Sequence, residues 1–168
     1  EEDKWLTLVD SKAMLDNIST INSNSQKKIK TIPGCFPNIK TGRNLKYDAI
    51  LVYSVIQYPF IEQSIFKFIH RCVDLLAPGG RLLIGDVPNI SARNRFMDSA
   101  DGIEFKNQEV PDQDNIGLIH KDDERIDDSV VLSILHRYRN YGCETYLLPQ
   151  AKKLPFYNRR EDILIVRR

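Results

Sequence analysis

Three polar interruptions, each at the end of an apolar run, hold the residues best placed to do chemistry. Asp10-Ser11 follows Trp5 to Val9, Tyr53-Ser54-Val55-Ile56-Gln57-Tyr58 closes the run that starts at Asp48, and Asp86-Val87-Pro88-Asn89 follows Arg81 to Gly85. An ionised aspartate only accepts, so Asp10 can take two hydrogen bonds from vicinal hydroxyls such as those of a ribose; capping a helix is its plainer use. Ser54 and Gln57 add nothing to a purely structural strand and need partners once buried, which favours a binding site there, with Gln57 toward a substrate. Tyr58 either takes part in that site or only opens the next helix with Pro59. Asp86 has the chemistry to orient or deprotonate an acceptor hydroxyl, or simply to satisfy loop amides.

The three histidines stand in no metal-ligand spacing, so no metal site is expected. His70 and His136 fall in helical patterns, whereas His120, in a long acidic stretch, is the one placed to act as an acid or base. Cys35, Cys72 and Cys143 also lack ligand spacing, and Cys72 lies on the apolar side of a helix pattern; a reducing, cytoplasmic setting is expected. Lys and Arg number 24 against 23 Asp and Glu, which argues against a dedicated electrostatic grip on nucleic acid or an anionic membrane. No apolar run approaches the roughly 20 residues of a membrane span, and no signal-peptide pattern opens the chain.

The elements that must carry these residues alternate between strand and helix. Trp5 to Val9 reads as a strand feeding a helix with Met14, Leu15 and Ile18 on one face, and Ile29 to Ile32 as a short strand closed by Pro33-Gly34. Asp48 to Val55 is almost entirely apolar, the pattern of a central parallel strand covered on both faces. Ile61, Ile65, Ile69, Cys72 and Leu76 then recur at helical spacing, Pro78-Gly79-Gly80 ends that helix, and Arg81 to Gly85 is the next strand, which makes a right-handed βαβ crossover. A short helix is expected around Ser91 to Met97, followed by an irregular stretch long enough to be functional. A helix over Asp128 to Tyr141 and strands over Glu144 to Leu148 and Asp162 to Val166 complete the chain. At 168 residues one domain is expected, and ligands of open α/β sheets sit beyond the carboxyl ends of the strands.

The Leu-x-Pro-Gly-Gly-x-Leu pattern LAPGGRL (Leu76 to Leu82), the strand exit YDAILVYSVIQY and the opening LTLVDSKAML together resemble the class I S-adenosylmethionine-dependent methyltransferases. The resemblance implies a doubly wound α/β domain over 1–168, with a mostly parallel, Rossmann-like sheet, an antiparallel C-terminal strand and strand order 3-2-1-4-5-7-6. It implies S-adenosylmethionine as cofactor, with Asp10 on its ribose and Ser11 and Met14 beside it. Gly34-Cys35-Phe36 stands where that family commonly has Gly-Asp for the adenine, so Cys35 leaves adenine to backbone groups and an apolar wall such as Phe36 or Met14. Tyr53, Ser54 and Val55 fall where the family lines the methionine portion of the cofactor. The family's first strand and Gly-x-Gly-x-Gly loop are not found in these residues, which suggests a processed or shortened chain that binds the cofactor poorly.

The same topology brings Arg93 and Arg95 to the edge that also receives Lys152, Lys153, Arg159 and Arg160, a basic rim suited to phosphate or carboxylate on an acceptor; scattered solvated charges are the alternative. The leading expectation is therefore a methyltransferase acting on a small molecule or glycan precursor, with an anionic acceptor held by Gln57 and these arginines and with Tyr58, Asp86 and His120 as catalytic candidates. A non-catalytic methyltransferase-like module acting through protein contacts is the second reading. A nicotinamide-dependent oxidoreductase, which shares the strand-Asp signal, is the third.

Overall fold

The computed structural model describes residues 5–21, 28–41, 45–107 and 126–168. The chain divides into two compact units, Glu1–Leu45 and Lys46–Arg168. In the first, β1 (Trp5–Asp10), α1 (Lys12–Ile21) and β2 (Lys28–Pro33) form a parallel strand–helix–strand unit, with Trp5 opposite Lys28 and Asp10 opposite Pro33. Ser11 starts the helix, its hydroxyl accepting from the Met14 amide at 3.4 Å. The Gly34 amide donates to the Asp10 carbonyl at 2.9 Å, and its φ of 145° explains why a residue without Cβ leaves the strand here.

The second unit contains β3 (Tyr47–Tyr53), α2 (Gln57–Glu62), α3 (Ile65–Leu75), β4 (Leu76–Pro88), α4 (Ile90–Met97), α5 (Ala100–Asn107), α6 (Asp128–Asn140), β5 (Cys143–Pro149) and β6 (Arg160–Arg167). Its sheet runs β3-β4-β6-β5, with β3 parallel to β4 and β6 antiparallel to both β4 and β5. Within each unit this is the order that the methyltransferase resemblance implies. Among the described residues the two sheets share no strand pairing.

One face of the four-stranded sheet is the core. Leu82, Ile84, Ile163 and Ile165 are fully buried there, joined by Val52 and Thr145. The helices α6 and α3 cover this face: the Leu135 carbonyl accepts from the Thr145 hydroxyl at 3.2 Å, and the Tyr138 hydroxyl donates to the Phe66 carbonyl at 3.1 Å. Arg167 reaches from β6 to the carbonyls of Val73, Asp74 and Leu76, placing a cation at the C-terminus of α3.

The opposite face corrects two expectations. Leu51 is 66% exposed and Tyr53 41%, with Tyr146 and Leu148 exposed on the same side, so within this unit and among the described residues β3 lies at the sheet's edge and is buried on one face, where a central strand covered on both is expected. An unbroken apolar run does not reveal which of its alternate residues find a covering layer. The described helices that pack on this sheet, α3 and α6, also share one side, so the unit is mixed α/β without helices shown on both faces. The helical stripe from Ile61 is two helices: Ile61 belongs to α2, and Ser64 restarts the chain as the N-cap of α3, accepting from the Lys67 amide. Helix α3 ends at Leu75, so Pro78-Gly79-Gly80 does not terminate it but forms an irregularity inside β4, between the pairs Tyr47–Leu76 and Ala49–Arg81. Helix α5 was not anticipated. Among the described residues no helix is long and apolar enough to cross a membrane.

Candidate active site

The carboxyl ends of β3 and β4 carry two non-glycine residues in left-handed backbone, Ser54 at φ 55° and Asp86 at φ 60°. Their local geometry follows from one extra residue in β4: Ile84 pairs with Ile163 and Val87 with Glu161, so Gly85 and Asp86 together face Asp162. This bulge turns the Asp86 side chain off the strand's regular alternation. It is pinned by the Asp86 amide, which donates to Asp162 Oδ1 at 2.9 Å, and by the Ser54 amide, which donates to the Gly85 carbonyl at 3.1 Å. At Gly85 a Cβ would come within 2.5 Å of the Tyr53 ring, so any larger residue would have to displace that ring.

The bulge assembles a polar cluster. Asp86 Oδ2 accepts from the Ser54 hydroxyl at 2.5 Å and from Arg160 Nη1 at 2.5 Å, while Oδ1 accepts from Gln150 Nε2 at 3.4 Å. Gln150 Nε2 also donates to Asp162 Oδ1 at 3.0 Å, and Gln57 Nε2 donates to the Ser54 carbonyl at 3.0 Å. Asp86, Gln150 and Arg160 are all largely buried. With three donors already on its carboxylate, Asp86 is suited to holding Ser54 and Arg160 in place rather than to taking a proton from an acceptor. The phenol of Tyr53 is raised above its ordinary value, first by desolvation and then by Asp86 and Asp162, against the opposing effect of Arg160.

A second network flanks the first. Asn89, almost wholly buried, caps α4 with its carbonyl oxygen toward the Ser91 and Ala92 amides, and its Nδ2 donates to Asp128 Oδ1 and Glu161 Oε2 at 2.8 and 2.7 Å. Arg95 pairs with Asp128 at 2.5 Å, and this hydrogen bond is the main reason that the Asp128 carboxyl lies below its usual value. Arg159 is 5% exposed and stacks against Phe96, Phe105 and Phe156 at 5.0 to 5.7 Å.

Thus the structure brings Ser54, Gln57, Asp86 and Arg160 together in one network and puts Arg95 in its neighbour, but their charges are spent internally. Of the residues expected on a basic rim, Arg160 pairs with Asp86, Arg95 pairs with Asp128, Arg159 is withdrawn among rings, and Lys152 and Lys153 are exposed. Arg93 is half-buried on α4, and Val55 and Tyr58 are exposed. His120 lies outside the described residues. In the first unit, Asp10 Oδ1 accepts from the Ser11 amide at 2.6 Å, Met14 is half-exposed, and the exposed Cys35 thiol donates to the Phe36 carbonyl at 3.7 Å. The cap of α1 is Ser11, so the carboxylate of Asp10 is not needed for it. Sequence reasoning missed Gln150 and Asp162. A charged residue within a strand pattern was the available sign for Asp162; a lone glutamine after Pro149 gave none.

No family model matches this chain, and no curated protein matches it significantly. Solved structures do. The chain is similar to an O-methyltransferase family protein from Burkholderia thailandensis, with a TM-score of 0.60 and 11% identity, over 96% of this chain and 43% of that one. It is similar to the methyltransferase domain of bacterial CtHen1, with a TM-score of 0.61 and 14% identity, over 96% of this chain and 77% of that one. The plantazolicin methyltransferase BpumL in complex with SAH matches with a TM-score of 0.53 and 10% identity, over 97% of this chain and 76% of that one. The chain therefore has a methyltransferase fold, and it spans less than half the length of the Burkholderia protein.

Proposed function

We propose that this chain carries the site of an S-adenosylmethionine-dependent methyltransferase acting on a small molecule or glycan precursor. The observation that carries the reading is the Ser54–Asp86 pair: two strained, hydrogen-bonded polar residues at the exits of adjacent parallel strands, where ligands of this architecture bind. The cofactor's ribose fits Asp10, whose carboxylate is exposed at the end of β1 and spends one oxygen on the Ser11 amide, leaving the other for a hydroxyl. Its adenine fits Phe36 and Met14 as apolar surface, with no acid beside them at Cys35. The cofactor supplies a methyl group on a sulfonium; the protein's share is alignment and exclusion of water. Asp86 fixes the Ser54 hydroxyl and is itself held by Arg160.

Nuclear magnetic resonance titration with S-adenosylhomocysteine tests the cofactor assignment. Asp10→Ala is expected to weaken binding by about 1–3 kcal/mol, the loss of a charged hydrogen bond, with Asp10→Asn costing less. Unchanged affinity together with a lower melting temperature would identify Asp10 as structural and remove the assignment. Tighter binding of NADH than of S-adenosylhomocysteine would favour an oxidoreductase instead.

A protein-interaction module is the second reading, favoured by the uncovered apolar side chains of Leu51, Tyr53, Tyr146 and Leu148 on one sheet face. Under it, Leu51→Lys changes association while Asp10→Ala changes nothing.

A further inference from the structure

The bulge in β4 answers one problem by register and leaves a second to a side chain. In β6, Ile163 and Glu161 are two residues apart on the core side of the sheet, and their partners are Ile84 and Val87, both fully buried. A ladder without the bulge sets Asp86 opposite Glu161, two carboxylates facing each other across the strands, and turns Val87 away from the core. The extra residue puts Val87 in that place instead. It also takes the Asp86 amide out of the ladder and leaves Asp86 at φ 60°, a conformation that a non-glycine residue keeps only where its surroundings hold it.

Asp162 is what holds it. Its Oδ1 accepts from the Asp86 amide at 2.9 Å and from Gln150 Nε2 at 3.0 Å, and the same Gln150 nitrogen reaches Asp86 Oδ1 at 3.4 Å. Asp86 is thereby gripped at its amide and at its carboxylate, with Oδ2 left to take the Ser54 hydroxyl at 2.5 Å. We propose that Asp162 is a positioning residue of this edge: by fixing the backbone of Asp86 it sets the direction of the Ser54 hydroxyl, with which it shares no hydrogen bond among the described residues. The inference rests on the methyltransferase reading for the reaction that the edge serves, and Asp162 acts on that reaction through Asp86.

Urea unfolding of the full chain, free of ligand, tests this by a cycle between Ser54 and Asp162. With Asp162 in place, Ser54→Ala is expected to raise the unfolding constant about tenfold, the loss of a hydrogen bond to a carboxylate. In an Asp162→Ala background the same change should raise it less than about threefold, because Asp86 no longer keeps its aim. Asp162→Asn retains an oxygen for both donors and should restore the larger effect. Carbon-13 shifts of Asp86 should report left-handed backbone in the parent and in Asp162→Asn and its loss in Asp162→Ala, with Asp162→Leu used where the alanine variant does not fold. An equal effect of Ser54→Ala in every background, or left-handed shifts that survive Asp162→Ala or Asp162→Leu, makes Asp162 a structural residue only and overturns the proposal. A failed cycle in a chain that binds S-adenosylhomocysteine removes the role of Asp162 alone, whereas an intact cycle without such binding removes the methyltransferase reading alone.

Discussion

Arg160→Met should be among the more damaging single changes in the second unit, although it removes a residue that sequence alone places on a solvated rim. Arg160 and Asp86 are 17% and 13% exposed and 2.5 Å apart. Removing one partner of a buried pair costs about 3–5 kcal/mol because the other charge is left uncompensated. Asp86 keeps the Ser54 hydroxyl and the Gln150 amide, so the loss should fall at or just below the low end, about 2–3 kcal/mol. Over a chain of this length that lowers the melting temperature by about 4–12 °C. Asp86→Asn is the matched change: asparagine tolerates left-handed backbone but removes the charge that Arg160 Nη1 pairs with. Urea unfolding of the two single variants and the double should show a coupling of about 1–3 kcal/mol, the double being less unstable than the sum. Single losses below about 0.5 kcal/mol with strict additivity are the signature of an exposed pair, and they would refute the assignment of Asp86 and Arg160 to a common buried network.

The N-terminus of α6 gives a pH-dependent test. Asp127 is held below its ordinary value first by the Ser129 hydroxyl and then by the Val130 amide, both donating to it. A depressed value in the folded state contributes stability above about pH 4 that is lost as pH falls through the lower folded value. Asp127→Ala should therefore cost about 1 kcal/mol near neutrality and make the acid-side decline shallower, as urea midpoints measured across that range will show; an unchanged decline removes Asp127 from it. The thiols give another: burial pushes Cys72 up to about 12 and raises Cys143, while Cys35 is exposed. Iodoacetamide should modify Cys35 alone in the native chain, and rapid alkylation of Cys72 read by peptide mass would contradict its burial.

Strand and helix positions were legible because they depend on local periodicity. The apolar run before Ser54 marked β3, Arg81 to Gly85 marked the second half of β4, and Val131, Ile134 and Tyr138 marked the buried stripe of α6. The bulge at Gly85-Asp86 was not legible, since it is defined by Asp162, 76 residues away in sequence. Nor was the fate of the arginines. Their number along the chain predicts an electropositive rim, but whether a guanidinium attracts a ligand depends on Asp86, Asp128, Phe96 and Phe105 from distant segments, with Phe156 close by in sequence. The break between α2 and α3 was readable in principle from Ser64, whose hydroxyl caps the second helix, yet the apolar spacing runs straight across it.

What separates the two functional readings is where the structure accepts an energetic cost without a structural return. Left-handed backbone at Ser54 and at Asp86 costs roughly 1–2 kcal/mol each. A glycine in either position is the cheaper way to finish the same sheet. These costs converge on one edge, through bonds that run from Gln57 to Ser54, to Asp86 and to Gln150. The exposed face with Leu51 and Tyr146 is a different kind of feature. It forgoes apolar burial, which any covering surface restores, but it carries no such strain. Covering that face leaves Ser54 and Asp86 unexplained, whereas a ligand at the edge explains them together. For that reason the catalytic reading precedes the interaction reading, and the two need not compete for the same surface.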